Sequence, residues 1–201
     1  MIWFSADYHL GHPNIIKYCG RPFVSIKEHD DTIIANHNSK VKPNDTLYFL
    51  GDYCFGNRDK AAKYIERLNG NLRFIWGNHD HALQSLQRHQ SLPNCYPYLG
   101  HTTLKRVQFL GDYKKIRVEG QKIMLFHYAG RVWDCSHHGA WQLYGHSHGT
   151  LPDDPHALSM DVGVDCHNYT PISFEEVKQF MAKKLWKPVD YHGTKELKEF
   201  A

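Results

Sequence analysis

The chain has 201 residues, of which 41% are hydrophobic, so it is long enough for one sizeable core and too short for two comfortable domains. Its 24 basic and 21 acidic residues give a net charge of only +3, and no run of five like charges occurs. This balance is too small to argue for a broad basic nucleic-acid surface, so any anionic partner must be recognised locally.

The cysteines and the apolar segments indicate the compartment. Five cysteines, an odd number without a C-x-x-C spacing, predict neither a zinc ribbon nor a disulfide framework, and free thiols fit a reducing environment. Residues 1–4 are too few for a signal-peptide core, and no later stretch approaches the roughly 20 apolar residues of a membrane span. We therefore expect a soluble, cytoplasmic protein.

Hydrophobic periodicity and capping signals predict the elements of the first half. In chain order they are a strand at 1–4, a helical turn at 12–18, a helix from 25 to about 39, a strand at 46–50, a helix at 58–68, a strand at 72–76 and a helix at 81–89. The helix at 25 opens on a capping-box pattern, with Ser25 followed three residues later by Glu28. The alternation of strands and helices predicts a sheet with helices packed on it.

The second half is richer in strands. Residues 93–100 are predicted to be irregular, and the segments 113–118 and 121–126, separated by Glu119-Gly120, are predicted to form a β-hairpin. Further strands are expected at 142–144 and 159–164, and a second capping box, at Ser173 and Glu176, predicts a helix to about residue 184. We assign 1–185 to one domain and 186–201 to a C-terminal tail.

Five polar clusters occur along the chain, mostly at the ends of apolar runs, as when strands deliver side chains to the edge of a sheet. They are Asp7-Tyr8-His9, Gly51-Asp52, Gly77-Asn78-His79-Asp80, His127 and Gly145-His146-Ser147-His148. The i, i+2 spacing of Asp7 and His9 would place both side chains on one face of an extended segment. Oxygen and imidazole donors without a thiolate suit a pair of Mn, Fe, Zn or similar ions. A two-metal hydrolase is therefore the first hypothesis.

In this order the clusters resemble the pattern of the calcineurin-like metallophosphoesterases, which runs D-x-H, G-D, G-N-H-[D/E], H and G-H-x-H. Each element is present between residues 7 and 148. The resemblance implies an α/β (α+β) fold, a four-layer αββα sandwich of two mixed β-sheets flanked by helices. It also implies two divalent metal ions, with Mn²⁺ expected and Fe, Zn or Ni as alternatives.

The resemblance also assigns roles to the residues of the clusters. One ion would be held by Asp7, His9, Asp52 and His148, and the second by Asp52, Asn78, His127 and His146, so that Asp52 bridges the two. His79 would point at the phosphate and protonate the leaving oxygen, and Asp80 would hydrogen-bond the His79 imidazole. Considered singly, these residues also suit other roles: Asn78 a helix N-cap, Asp80 a charge at a helix N-terminus and His127 a structural histidine.

The expected reaction is hydrolysis of a phosphate ester by a hydroxide that bridges the two metals. The loops are too short for a capping domain, so an open groove is expected, which favours a phosphodiester or nucleotide-type substrate. The alternatives are a phosphomonoesterase and a non-catalytic metal-binding scaffold of the same fold. Arg21, Arg58 and Arg131 are candidate substrate-binding residues, because an arginine fork complements a phosphate. No membrane contact and no obligate protein partner is indicated, and the oligomeric state is open.

Overall fold

The computed structural model describes residues 1–90 and 105–190. The strands are β1 (Ile2–Ser5), β2 (Thr46–Leu50), β3 (Asn71–Ile75), β4 (Val107–Gly111), β5 (Tyr113–Val118), β6 (Gln121–Phe126), β7 (Trp141–Tyr144), β8 (Ser159–Asp161) and β9 (Ile172–Ser173). The helices are α1 (Pro13–Tyr18), α2 (Ile26–Lys40), α3 (Arg58–Arg67), α4 (His81–Gln90) and α5 (Phe174–Met181). Short 3-10 turns lie at Ser136–His138 and Val164–Cys166. Across these two ranges, no helix is both long and apolar enough to cross a bilayer.

The strands form two mixed sheets. The first has the order β4-β3-β2-β1-β9, in which β1 to β4 are parallel and β9 is antiparallel to β1. The second has the order β5-β6-β7-β8, in which β5 and β6 are antiparallel and β6, β7 and β8 are parallel. Since the carboxyl ends of parallel neighbours meet at one edge, the loops after β1, β2 and β3 lie together, as do those after β6 and β7.

Successive residues of β1 face different cores, because side chains alternate across a strand. Trp3 lies in a buried cluster with Ile33 of α2, whereas Phe4 lies in a second cluster with Leu143 of β7 and Val177 of α5. The first sheet therefore packs against helices on one face and against the second sheet on the other. The predicted sandwich of two mixed β-sheets flanked by helices is confirmed.

Both predicted capping positions begin a helix. The Ser173 hydroxyl accepts a hydrogen bond from the Glu176 amide, and the Glu176 carboxylate accepts one from the Ser173 amide, which completes the box. At α2 the Ser25 hydroxyl accepts from the Glu28 amide, but the Glu28 carboxylate accepts from Val24 instead. Only the first half of the reciprocal pattern is therefore present at α2.

The β-hairpin forms between the predicted residues, and Glu119 and Gly120 both adopt the positive φ that a tight two-residue turn requires. Other boundaries differ from the prediction. The strand expected at 159–164 ends at Asp161, and the helix expected to reach 184 ends at Met181. Strands β4 and β9 were not predicted; β9 has two residues and is defined by pairing with β1, which a local pattern does not encode. The segment 93–100 lies outside the described residues.

The first residues of the segment assigned to a tail contact the rest of the fold. The Lys187 amide donates to the carbonyl of His156 at 2.9 Å. The Asp190 carboxylate accepts a hydrogen bond from the Ser136 hydroxyl at 2.9 Å. Residues 186–190 thus lie against the loops on the outer side of the second sheet.

Candidate metal centre

The loops after β1 and β2 are joined by backbone hydrogen bonds at the point where the first two clusters occur. The Asp7 amide donates to the carbonyl of Gly51, and the His9 amide donates to the carbonyl of Asp52, each at 3.0 Å. These bonds continue the parallel pairing of β1 and β2 beyond the strand ends. They hold Asp7, His9 and Asp52 at one edge of the sheet.

Five of the seven predicted ligands have a left-handed backbone, which is uncommon for residues other than glycine. Their φ angles are 61° at Asp7, 51° at His9, 59° at Asp52, 68° at His146 and 47° at His148. The expectation that Asp7 and His9 converge from an extended segment is therefore wrong, since the chain reverses locally at each ligand. Such strained conformations cluster at functional sites, where the surrounding structure holds them in place.

Asp7, His9 and His148 form the first cluster, in which one donor atom of each side chain lies within 4.8 Å of the others. The His9 ring is buried, and neither of its nitrogens has a hydrogen-bond partner among the described residues. Burial lowers the pKa of His9 to about 2, so the ring is neutral and offers a lone pair. A buried imidazole without a partner carries a desolvation cost that a coordinated cation would remove, so these residues fit a metal ion.

Asp52, His127 and His146 form the second cluster by the same distance criterion. The His127 Nδ1 lies 2.7 Å from the carbonyl oxygen of Leu50, which can only accept, so Nδ1 carries the proton and Nε2 is left for a ligand. The Asn78 Oδ1 lies 3.1 Å from His127 Nε2 and 3.1 Å from His146 Nδ1. All four side chains predicted for the second ion are thus brought together.

The Asp52 carboxylate lies between the two clusters. Its Oδ2 is 3.5 Å from His9 Nε2 and 3.6 Å from His127 Nε2, and its Oδ1 accepts a hydrogen bond from the His79 amide at 2.9 Å. Burial would raise the pKa of Asp52, but the two imidazoles and the His79 amide outweigh it and lower the pKa to about 2. An ionised carboxylate therefore faces a histidine from each cluster.

Asp80 does not occupy the position expected for a partner of the His79 ring. Its carboxylate is buried and accepts hydrogen bonds from the amides of Asp52, Tyr53 and Gly77 at 2.9, 2.8 and 2.8 Å. Burial raises the pKa of Asp80 to about 6, although the amides of Gly77 and Tyr53 oppose the shift. The contacts of Asp80 fasten the Gly51-Asp52 loop to the Gly77-Asn78 loop and so position Asp52.

The glycines of the clusters leave room for the ligands. A Cβ added to Gly77 would collide with the Asp52 carboxylate and amide. A Cβ on Gly145 would lie 2.7 Å from Asp7 Oδ2, and one on Gly163 would lie 2.6 Å from the same atom. These contacts give a steric reason for the glycines that precede Asn78 and His146.

Arg21 is not available to a substrate. Its buried guanidinium donates to both Asp165 oxygens at 2.8 and 2.7 Å, to the carbonyls of Asp7 and Tyr8, and contacts His29 Nε2 at 2.7 Å. These contacts use all five N–H donors of the group. The proposed phosphate contact of Arg21 is therefore corrected to a support of the Asp7 loop.

Asp165 is a residue of the site that the sequence interpretation missed. Its Oδ2 lies 2.7 Å from His148 Nδ1, in addition to the two hydrogen bonds from Arg21. Burial would lower the pKa of His148, but the hydrogen bond to Asp165 contributes to raising it to about 10. A signal was present, because Asp165 directly follows the predicted strand at 159–164, as other candidate ligands follow predicted strands.

Several aromatic rings lie beside His79, whose side chain is exposed. The His79 ring centroid is 5.8 Å from that of His9 and 5.1 Å from that of Phe55. Phe55 is in turn stacked on His12, with centroids 3.8 Å apart and the rings 9° from parallel. Phe55 was not a predicted site residue, because no local pattern separates it from a core aromatic.

The other two predicted arginines lie at different places. Arg58 begins α3 and has its Nε 3.8 Å from Asp59 Oδ1. It lines a second, open cavity of about 310 Å³ with His81 at the start of α4. Arg131 is exposed and lines a cavity of about 380 Å³ beside the second sheet. Neither arginine belongs to the two clusters of donor atoms.

No protein-family model matches the chain. The uncharacterized protein MJ1445 of Methanocaldococcus jannaschii is 31% identical over 189 residues, which cover 90% of this chain and 92% of that protein. The chain belongs to the same family as MJ1445. The Gene 66 protein of Mycobacterium phage L5 is similar at 27% identity, over 81% of this chain and 86% of its own length.

The fold also occurs in a solved structure. The protein of unknown function AQ665 from Aquifex aeolicus is 24% identical, with a TM-score of 0.63 over 90% of this chain and 98% of that one. This likeness shows a shared fold. The resemblance of the five clusters to the calcineurin-like metallophosphoesterases stays a prediction from the sequence.

Proposed function

We propose that this protein is a dinuclear metal-dependent phosphoesterase whose substrate is a phosphodiester or a nucleotide-type ester. The observation that carries the proposal is the position of Asp52, whose Oδ2 lies 3.5 Å from a histidine of one cluster and 3.6 Å from a histidine of the other. A carboxylate with one oxygen close to two separate donor groups suits a bridge between two cations.

The ligand sets proposed from the sequence are retained. One ion would be held by Asp7, His9, Asp52 and His148, and the other by Asp52, Asn78, His127 and His146. When bound, two divalent ions supply Lewis acidity, lower the pKa of coordinated water and neutralise charge on the phosphoryl group. Mn²⁺ is the proposed ion, since oxygen and imidazole donors predominate and no thiolate is among them.

His79 is proposed as the general acid. Its backbone amide is bonded to Asp52 Oδ1 at 2.9 Å, so the residue is fixed next to the carboxylate that would bridge the ions. Its exposed ring, which lies near the rings of His9 and Phe55, can give a proton from a ring nitrogen to the leaving oxygen. Asp80 acts on this arrangement indirectly, through the loops that it joins.

The loop at residues 129–140 lies partly on the outer side of the second sheet and does not form a separate cap. We therefore propose an open groove at the metal centre, which favours a diester over a monoester. The rival functions are a phosphomonoesterase and a metal-binding scaffold without catalysis. The four described cysteines are free, which supports the proposed cytoplasmic location.

Hydrolysis assays on protein from which a chelator has removed the metal test the proposal. An aryl phosphodiester and its monoester counterpart are each assayed with and without added Mn²⁺. Turnover of the diester that depends on Mn²⁺ is expected. Turnover of the monoester alone would replace the proposal by a phosphatase, and inactivity on both would favour the scaffold.

Two variants distinguish the role of a metal ligand from that of a general acid. Asp52→Asn should lose metal and activity, whereas His79→Ala should lose activity and keep nearly the full metal content. His138→Ala, an exposed histidine outside both clusters, is the matched control and should resemble the parent. Loss of both ions from His79→Ala would contradict the role of His79 as an acid.

A further inference from the structure

The ring of His79 is oriented by aromatic contacts. Among the described residues, its backbone amide donates to Asp52 Oδ1, but its side chain makes no hydrogen bond. The centroid of the His79 ring lies 5.1 Å from that of Phe55, at an interplanar angle of 37°, and 5.8 Å from that of His9, at 59°. Aromatic pairs attract each other at centroid distances of about 4.5–7 Å. These two rings therefore limit the directions in which the exposed His79 ring can point.

Phe55 is held in place by the same backbone pairing that holds the predicted metal ligands. The Leu10 amide donates to the carbonyl of Tyr53 at 3.0 Å, and the Phe55 amide donates to the carbonyl of Leu10 at 2.8 Å. These bonds continue the hydrogen bonds that Asp7 and His9 make with the loop after β2. The partly buried Phe55 ring thus has a fixed place beside the metal centre.

His12 supports the ring of Phe55. The two rings are stacked, with their centroids 3.8 Å apart and their planes 9° from parallel. His12 is the N-cap residue of α1, but its side chain makes no capping hydrogen bond. Its Nδ1 is buried and has no hydrogen-bond partner among the described residues. The His12 ring therefore packs on Phe55 instead of capping the helix, and this packing restricts rotation of the Phe55 side chain.

Asp80 does not provide this orientation, because its carboxylate accepts hydrogen bonds from the amides of Asp52, Tyr53 and Gly77. A hydrogen bond from a carboxylate would fix the His79 ring at one of its nitrogens. A neighbouring aromatic ring instead restricts the plane of the imidazole and leaves both nitrogens available. A ring oriented in this way can present either nitrogen to the leaving oxygen.

We propose that Phe55, supported by His12, is a positioning residue that directs the His79 ring towards the leaving oxygen of the ester. The proposal rests on the proposed function, in which His79 is the general acid. When the bond between phosphorus and the leaving oxygen breaks, its electron pair stays on that oxygen, which takes a proton from His79. Without the Phe55 ring, the His79 side chain would rotate more freely and deliver this proton less often, while every predicted metal ligand would keep its donor atom.

The leaving group of the ester distinguishes this role from a general loss of structure. Bis(4-nitrophenyl) phosphate and diphenyl phosphate share one skeleton, but nitrophenolate leaves readily without a proton, whereas phenolate is more basic and needs one. With Mn²⁺ added, Phe55→Leu should lower kcat about tenfold for diphenyl phosphate and about twofold or less for the nitrophenyl ester, with KM and metal content nearly unchanged. His79→Ala should show the same bias more strongly.

Two further variants serve as controls. Phe55→Tyr keeps the aromatic ring and should restore most of the rate on diphenyl phosphate. Phe180→Leu removes a partly buried phenyl ring on α5 that packs against the core between the sheets, and it should match the parent on both esters. If Phe55→Leu fails to fold, His12→Leu removes the supporting ring and should show the same bias to a smaller degree.

Equal losses of kcat on the two esters, or loss of metal from Phe55→Leu, would overturn the positioning role. Hydrolysis of only the nitrophenyl ester by the parent would overturn it as well, because no proton would then be reaching the leaving oxygen. An NMR experiment tests the ring contact independently of activity. With Zn²⁺, which is diamagnetic, a nuclear Overhauser effect is expected between the ring protons of Phe55 and His79, and its absence would also overturn the proposal. This effect in a parent that hydrolyses neither ester would retain the ring arrangement and reject the phosphoesterase.

Discussion

Replacing Asp165 by Asn tests how the metal centre is supported. The Asp165 carboxylate is the anionic partner of Arg21, whose side chain is fully buried, and it also contacts His148 Nδ1 at 2.7 Å. The amide of Asn has nearly the same shape but no charge and one acceptor oxygen in place of two. The substitution therefore leaves a buried guanidinium without its counter-ion.

The expected cost follows from this burial. Removing one member of a buried ion pair commonly costs about 3–5 kcal/mol, because the remaining charge is left desolvated. We expect Asp165→Asn to lose about 3 kcal/mol of unfolding free energy, near the lower limit, since one hydrogen bond from Arg21 can persist. The loss of a hydrogen-bond partner of His148 should also weaken metal binding by about 10–100-fold.

Urea unfolding at pH 7 measures the first quantity, and metal titration of the folded protein measures the second. Asp134→Asn is the matched control, because Asp134 pairs with Lys115 at the surface, where both side chains are about half exposed. No measurable change in stability or metal affinity is expected there. The reasoning would be refuted if Asp165→Asn lowered the unfolding free energy no more than Asp134→Asn does. It would also be refuted if Asp165→Asn lowered the unfolding free energy by the same amount in an Arg21→Met background.

Two further substitutions examine packing and charge elsewhere in the fold. Gly163→Ala adds a Cβ at 2.6 Å from Asp7 Oδ2, at a φ of −59° that alanine adopts freely. Metal affinity should therefore fall at least tenfold, while the far-UV circular dichroism spectrum stays that of the parent. Unchanged metal affinity would show that the Asp7 side chain can move aside. Asp45 accepts hydrogen bonds from the Met1 amine and Trp3 Nε1 at 2.7 and 3.1 Å, and the amine holds its pKa below the usual value. A carboxylate with a depressed pKa stabilises the fold above its unfolded pKa near 4, and this stabilisation is lost as the pH falls through the folded pKa. Asp45→Asn should therefore lose about 1 kcal/mol at pH 7, and its difference from the parent should shrink as the pH falls below 4. A difference that is constant over this range in urea unfolding would contradict the assignment.

The sequence predicted those features that neighbouring residues encode. The hairpin around Glu119-Gly120 formed at the predicted residues, because alternation on both sides and the turn residues agree within fourteen positions. The capping residues Ser25 and Ser173 marked the first turns of α2 and α5 for the same reason. The donor clusters were visible because the end of a strand and the polar residue after it are adjacent in the chain.

The sequence could not assign partners to charges across the fold. Arg21 and Asp165 are 144 positions apart, and their hydrogen bonds form only because the loop after β8 is packed against the loop after β1. Arg21 therefore looked like a phosphate contact, and Asp165 did not look like part of the site. The resemblance placed the Asp80 carboxylate against the His79 ring, whereas its oxygens accept hydrogen bonds from the amides of another loop.

The sequence by itself determined the two-sheet class of the fold, the order of the donor clusters and the residues that could coordinate a cation. Only the tertiary structure decided which donors lie together, that Asp52 stands between both groups and that Arg131 lines a cavity instead of the centre. The reason is physical: periodicity and turn chemistry act over a few residues, whereas burial and pairing depend on which distant segments the two packed sheets bring into contact.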